Sequence, residues 1–513
     1  MGDELFILAL AIAVALVVAR TLAKRLNVPE AILLVLLGIL VSLLPGVDGV
    51  HVDPDVVLNI FLPPLVYRAA FLTAPRETRA DAVPIGIMAF TLTFVTALCV
   101  MLAVGLAVPH LTWAAALALG AAVAPTDPVA ATSVMKRLGA PRRLVTILEG
   151  ESLVNDGVAL TLFGLALTAL TVQVTAADVV IDLLQVVAGG ILYGFALAWV
   201  IGRVRPLIHD ASVQIVLSLV TPFVAYIPAE HMGLSGVLAT IVVGFYLGVK
   251  GQGVFQPASR LTAQVFWDVL VFLLESTLFV LLGLQMTDVF AEVADRSWPR
   301  LAVAALLVVG VVVLVRLFWT LVVVPLLRFR RFASIDVRQR LVMGWAGMRG
   351  AITLAIALSI PLDVENRPLL IFLAACVVLA TLLGQAPTLA PLLRALGLSE
   401  GEDLLKEEGT AREATLEAAL ARLDALAADD RVDEHTAEVY RQLFELRLDR
   451  VRAVLDDSEE SPAPKGWLRK ELIKAQREKL HQLYRKGRIS ADTMRKLGHE
   501  LDLEAGRQGQ GSP

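Results

Sequence analysis

Stretches of about 20 apolar residues recur along the first four-fifths of this chain, and each could cross a ~30 Å hydrocarbon core. Backbone groups in lipid must find partners within their own segment, so such stretches are helices unless they close into a barrel. They do not alternate polar and apolar residues, which argues against a barrel. A soluble domain of 513 residues would carry more than 18% charged residues and would show polar faces at helical period. Here charge is missing from long stretches and crowded into short ones. Thirteen spans are expected, the first near residues 4–22 and the last near 367–393. Span five falls near 112–136, six near 146–171, ten near 262–284, eleven near 298–327 and twelve near 338–361. The first run follows the acidic Met1-Gly2-Asp3-Glu4 and lacks a basic flank, so it reads as a spanning helix and not as a cleaved signal. Cys99 and Cys376 lie in apolar spans and read as free thiols, with no disulfide or metal framework.

The loops test this assignment independently. One alternate set carries eighteen basic residues, among them Arg20, Lys24, Arg25, Arg76, Arg79, Lys136, Arg137, Arg142, Arg143 and Arg328. The other set carries three, Arg296, Arg300 and Arg367. Lys and Arg stay on the cytoplasmic side, so the first set faces inside. An odd number of crossings then puts the N-terminus outside and the C-terminus in the cytoplasm.

Composition changes near Ser399, where Glu, Arg, Leu and Ala take over. Residues 1–398 therefore read as a membrane domain and 399–513 as a helical cytoplasmic tail, disordered from about Gly506. Solvated helices packing on themselves or on a second copy are favoured over a ligand sensor.

Spans five and twelve are both interrupted. Span five contains Ala124-Pro125-Thr126-Asp127-Pro128, and span twelve contains Gly344-Trp345-Ala346-Gly347-Met348-Arg349-Gly350. Pro125 and Pro128, with Gly347 and Gly350, are the expected helix breaks. The two spans hold matching positions in the first and last six spans, which suggests inverted repeats around the seventh. Paired broken spans point to a midplane site in a secondary transporter, where half-helix ends and freed carbonyls can face an ion.

An ionised side chain near the bilayer centre costs roughly 2.5–3.5 kcal/mol on insertion scales, so it persists where it works or is paired. The candidates are Asp127, Glu151, Asp156, Glu275, Arg316 and Arg349, while Arg68, Asp182 and Asp268 lie nearer span ends. The densest cluster is Glu149-Gly150-Glu151-Ser152-Leu153-Val154-Asn155-Asp156-Gly157. Ser152, Asn155 and Asp156 stand at i, i+3 and i+4, on one helix face. A hard monovalent cation wants several oxygens, which Asp156, Ser152, Thr126 and Asp127 could supply with carbonyls freed at the proline break. Burial disfavours an ionised carboxylate and a bound cation favours it. One carboxylate can thus hold either a proton or a cation, and exchange becomes obligatory if the site reopens only when one is bound. Asn155 is expected to orient Asp156 through a hydrogen bond. Glu151 and Arg349, of opposite charge on the two broken neighbourhoods, are expected to form a structural ion pair. One titrating carboxylate per cation implies one-for-one, electroneutral exchange.

Four segments resemble the NhaP/NHE-type sodium/proton exchangers of the monovalent cation:proton antiporter superfamily. They are Phe61-Leu-Pro-Pro-Leu-Val-Tyr-Arg-Ala-Ala70, Ala124-Pro-Thr-Asp-Pro-Val-Ala-Ala131, Gly150-Glu-Ser-Leu-Val-Asn-Asp-Gly157 and Gly344-Trp-Ala-Gly-Met-Arg-Gly-Ala351. The likeness runs from about residue 5 to 395, and Glu275-Ser-Thr-Leu-Phe-Val-Leu-Leu-Gly283 adds a weaker segment. It implies an all-α fold of thirteen helices with inverted repeats and two broken crossing helices, and a core domain moving against a dimerisation domain. It implies a homodimer in the bacterial inner membrane. Asp156 beside an asparagine is then the cation and proton site of an electroneutral branch, lined by Thr126, Asp127 and Ser152. Glu151 and Arg349 match the structural pair. Arg68 departs from the pattern, because related chains often place an acid there. An arginine cannot ligate a cation, so it snorkels to the cytoplasmic face or pairs with Asp127 or another acid. Glu275 and Arg68 are accessory candidates.

No carbonyl-filter motif supports a channel. A purely structural role would require Asp127, Glu151 and Asp156 all to be satisfied internally, with one arginine clearly at hand. No metal-ligand cluster, nucleophile elbow or phosphate loop points to an enzyme. The expected partners are protons, sodium (or lithium, potassium or rubidium) and the bilayer, with no cofactor and no nucleic acid.

Overall fold

The computed structural model describes residues 2–501 except 27, 45–52, 73–81, 172–175, 209, 252–256, 294–296, 327–334, 400–401, 430, 456–465 and scattered positions past 486. Arg76, Arg79, Arg296, Arg328 and the segment from Gly506 lie outside the described residues. The chain divides into two compact units, Met1–Glu400 and Gly401–Pro513. All regular structure among the described residues is helical.

The first unit runs α1 (Gly2–Leu26), α2 (Glu30–Ser42), α3 (Pro54–Leu72), α4 (Ile85–Ala107), α5 (Trp113–Val123) and α6 (Pro128–Arg137). It continues with α7 (Arg142–Thr171), α8 (Ala176–Val204), α9 (Ala211–His231), α10 (Gly236–Gly251) and α11 (Pro257–Val293). It closes with α12 (Trp298–Leu326), α13 (Val337–Trp345), α14 (Ala351–Leu358) and α15 (Arg367–Ala395). Ten helices among the described residues are long and apolar enough to span a bilayer, α5 and α6 being taken as one broken crossing. Two apolar helices, α2 and the one at Gly236–Lys250, are shorter. The two halves of the broken α13–α14 segment are shorter still, nine and eight residues.

Large apolar side chains point outward in continuous stripes: Phe6, Leu10, Val14 and Val17 on α1, and Val303, Leu306, Leu314 and Phe318 on α12. Water would leave such faces as a costly exposed patch, whereas hydrocarbon matches them. The protein is a multi-span membrane protein. In contrast, 78% of an apolar 18-residue stretch of the broken crossing Trp113–Arg137 is enclosed, against 22% of such a stretch in Phe6–Leu26. The reason is local: α5 is built mostly from alanine, so neighbours approach closely on every side and all of Ala114–Val123 is buried. The sequence thus places its least bulky helix at the centre.

Helices α1–α3 and α8–α11 pack mainly among themselves, and α4–α7 with α12–α15 form a second bundle. The bundles meet where α11 touches α14 and α15, and where α7 touches α3 and α10. In α3, Pro63 and Pro64 remove two backbone donors, and the turn before them widens into a π-turn at Val57–Phe61. That distortion lies beside the face that lines the site.

In the second unit α16 (Glu402–Ala428) and α17 (Glu434–Leu455) pair antiparallel, and α18 spans Gly466–Arg485. Arg452 bridges Glu413 and Glu417, and Arg441 reaches Asp424, so ion pairs fix the register of the hairpin.

Candidate functional site

Both expected breaks are present, and they meet. Helix α5 ends at Val123, residues 124–127 are unwound, and Pro128 opens α6 at a position where its missing N–H costs nothing. Helix α13 ends at Trp345, residues 346–350 are unwound, and α14 starts at Ala351. The Asp127 N–H donates to Met348 O at 2.8 Å and ties one unwound segment to the other. A Cβ on Gly350 would collide with the Asp127 carboxylate, and one on Gly347 with the Arg316 side chain. Glycine is needed at these two positions for close approach, not for backbone conformation.

Helix α7 presents the acidic cluster to this crossing. Asp156 is 2% exposed, lines the cavity beside the crossing, and has a buried Oδ1 with no hydrogen-bond donor. Ser152, one turn earlier, lines the same cavity and donates from Oγ to Thr126 O at 2.7 Å. Asp127 caps α6 by accepting Val129 N–H on Oδ1 at 2.9 Å, a position where the helix dipole favours a negative charge. Thr126, Asp127, Ser152 and Asp156 are therefore brought together as expected. Asp127 already serves a helix end, whereas Asp156 has no such employment.

Two expectations are corrected. Asn155 does not orient Asp156: its Nδ2 donates to Thr126 Oγ1 at 2.8 Å, and it is buried behind the cavity wall. A step of three residues from Ser152 turns it further round the helix than a step of four, toward the unwound strand. Its Oδ1 is another buried oxygen without a donor.

The ion pair of Glu151 is made with Arg316 and not with Arg349. Arg316 donates from Nη1 to Oε1 at 2.5 Å and from Nη2 to Oε2 at 3.0 Å, with a further bond from Nε to Met343 O at 3.2 Å. This bidentate geometry is the strongest available to an arginine and a carboxylate. Arg349 instead donates from Nε to Val123 O at 2.6 Å and from Nη1 to Gly347 O at 2.9 Å. Val123 is the last residue of the half-helix α5, whose end carbonyls lack partners within the helix. A cation there also suits the negative end of the dipole.

Carbonyls freed by the break are not all left for an ion, because Arg349 takes Val123 O and Ser152 takes Thr126 O. Among side-chain oxygens at the crossing, the Asp156 Oδ1 is the one that is buried without a donor and lines the cavity. Sequence reasoning singled out Arg316 as an intramembrane charge without giving it a role. Thr381, whose Oγ1 accepts the Arg349 N–H at 3.1 Å, carried no signal at all.

The cavity holds about 570 Å³. One wall is the crossing and α7, with Thr126, Asp127, Ser152, Asp156 and Gly350. The other is α3 and α11, with Leu65, Arg68, Asp268, Phe272 and Glu275. Arg68 does not pair with Asp127: its Nη2 lies 2.7 Å from Oδ1 of Asp268, whose side chain is 70% exposed. It thus extends toward the polar rim and finds an acid there. Arg20 and Lys136, from the basic set of helix ends, also line the cavity.

A family model described as sodium/hydrogen exchanger, transmembrane, matches residues 12–395. An uncharacterized Na+/H+ exchanger of Mycobacterium bovis is 32% identical over 96% of this chain and 94% of its own length. A sodium, potassium, lithium and rubidium/H+ antiporter of Bacillus pumilus is 29% identical over 98% of this chain and 78% of its own. Among solved structures, the sodium proton antiporter MjNhaP1 from Methanocaldococcus jannaschii at pH 8 has the same fold. It superposes with a TM-score of 0.62 at 20% identity, covering 77% of this chain and all of that one.

Proposed function

The chain belongs to the sodium/hydrogen exchanger family, and we propose that it is a secondary antiporter in which sodium and protons compete for Asp156 under alternating access. The observation that carries this reading is the Asp156 Oδ1, buried without a donor yet on the wall of a cavity. A buried carboxylate oxygen that no donor satisfies costs free energy unless a proton or a cation completes it. Ser152, Thr126 and Asp127 supply further hard oxygens, and the Glu151–Arg316 pair holds α7 to α12 beneath them.

The cycle follows from the two walls. With the cavity open, a cation displaces the proton on Asp156. The second bundle then shifts against the first and exposes the site to the other side, where a proton displaces the cation. One titrating carboxylate makes the exchange one-for-one and electroneutral. The positive-inside bias supports thirteen crossings in a bacterial inner membrane, with the N-terminus outside and the C-terminus in the cytoplasm. Because Arg20 and Lys136 line the cavity, its charged end is the cytoplasmic mouth. Two copies joined through the α1–α3 and α8–α11 bundle leave the other bundle free to move.

A second reading widens the cation set to lithium, potassium and rubidium. Arg68 occupies a place where an acid would tighten selectivity, and the Bacillus relative is described as such a broad antiporter. Everted vesicles with a pH-sensitive dye separate these readings. Sodium is expected to release protons at a saturating rate that does not change when the membrane potential is clamped. Recovery with every alkali cation at similar concentrations selects the broad exchanger. A rate that follows the potential at saturating sodium contradicts electroneutral exchange.

A further inference from the structure

Every basic side chain on the cavity lining is already held by an acid. Arg68 pairs with Asp268 at 2.7 Å, Lys136 with Glu149 at 2.7 Å and Arg20 with Glu30 at 2.6 Å. Arg20 is further fixed over the Phe272 ring at 5.1 Å. Asp127, Asp156 and Glu275 line the same cavity and make no ion pair among the described residues. Two of these acids stand on the wall of the helix crossing. Glu275 stands alone on the opposite wall.

Its placement is specific. Asp268, Val271, Phe272 and Glu275 follow one another at intervals of three, one and three residues, so α11 turns a single face to the cavity. Asp268 is at the rim, clamped by Arg68, and Glu275 lies two turns deeper within the apolar run Thr262–Val293. An unpaired acid at that depth is costly and persists where it works. A cation resting on Asp156, Ser152 and Asp127 is met by protein from one wall only. A carboxylate on the facing wall supplies hard oxygen from the other side as the bundles approach.

We propose that Glu275 is a second cation ligand, on the wall facing Asp156, which sets the affinity and size preference for the transported ion. The inference rests on Asp156 being the exchange site. Coupling stays with Asp156, because the proton and the cation still alternate there, and Glu275 adds hard oxygen from the facing wall. Arg68, Asp268 and Arg20 on its own wall form pairs that leave its field at the cavity centre uncancelled.

The test uses the full-length protein with two readouts. In detergent, the thermal midpoint is followed against sodium chloride with choline chloride at equal ionic strength, and in vesicles the half-saturating sodium concentration is measured. Glu275→Gln is expected to need about tenfold more sodium for the same thermal shift and for half-maximal exchange. Its maximal rate is expected to stay within about twofold of the original. The preference among lithium, sodium and potassium is expected to change, and Glu275→Asp to fall between. A Gln variant with unchanged sodium dependence in both assays overturns the proposal. If that variant does not transport, the thermal shift decides alone. If it does not fold, Glu275→Asp with unaltered sodium dependence overturns the proposal. Asp156→Asn separates the two levels: retained sodium-driven exchange there removes the exchange site itself. Loss there beside an unaltered Glu275→Gln removes only the second ligand.

Discussion

Asp156→Asn is expected to reduce sodium-driven proton release in everted vesicles to the level of vesicles lacking the protein. The amide keeps the shape of the side chain, so α7 and the crossing should pack as before. It cannot take up a proton, and it offers a cation only one neutral oxygen. Both halves of the exchange therefore fail together, with no residual uncoupled flux. Asp127→Asn has a different signature, since its Oδ1 caps α6 and an amide oxygen can still accept the Val129 N–H. Protein yield and thermal midpoint for Asp156→Asn should match the unaltered chain, which distinguishes lost chemistry from lost structure.

The second large effect concerns stability. Arg316→Met strands Glu151, which is 1% exposed, and costs about 3–5 kcal/mol, the range for an uncompensated buried charge. Replacing both partners, as Arg316→Met with Glu151→Leu, removes the charge and its counter-charge together. Most of the lost thermal stability should return. A double-mutant cycle between Glu151 and Arg316 should show strong coupling. Between Glu151 and Arg349 it should be much weaker, because Arg349 spends its donors on Val123 O and Gly347 O. Equal coupling in the two cycles would contradict the bonding pattern described above.

Much of this architecture was legible in residue order alone. Long apolar runs have one stable form in lipid, so the spans followed from length and hydropathy. The breaks were marked by local chemistry: Pro125 and Pro128 remove two backbone donors within four residues, and Gly347 and Gly350 are poor helix formers. The gathering of Ser152 and Asp156 on one face followed from helical period. What stayed hidden depends on rotation and distance between helices. Glu151 could meet either of two intramembrane arginines, and only the approach of α12 to α7 selects Arg316. Asn155 is the sequence neighbour of Asp156, yet the step of about 100° between adjacent residues on a helix turns it to Thr126. The wall opposite the site, where Glu275 faces Asp156, belongs to a helix more than a hundred residues away. Its weaker family likeness marked Glu275 as accessory without saying what it faced.

Competition between a proton and a cation for one carboxylate is tested most directly by the half-saturating sodium concentration as the pH is lowered stepwise. Protonation of Asp156 removes the sodium site. The half-saturating concentration should therefore climb by roughly tenfold for each pH unit once Asp156 is mostly protonated, while the maximal rate is recovered with enough sodium. A half-saturating concentration that stays constant across the same pH range, with only the maximal rate falling, would show that the two ions do not share Asp156.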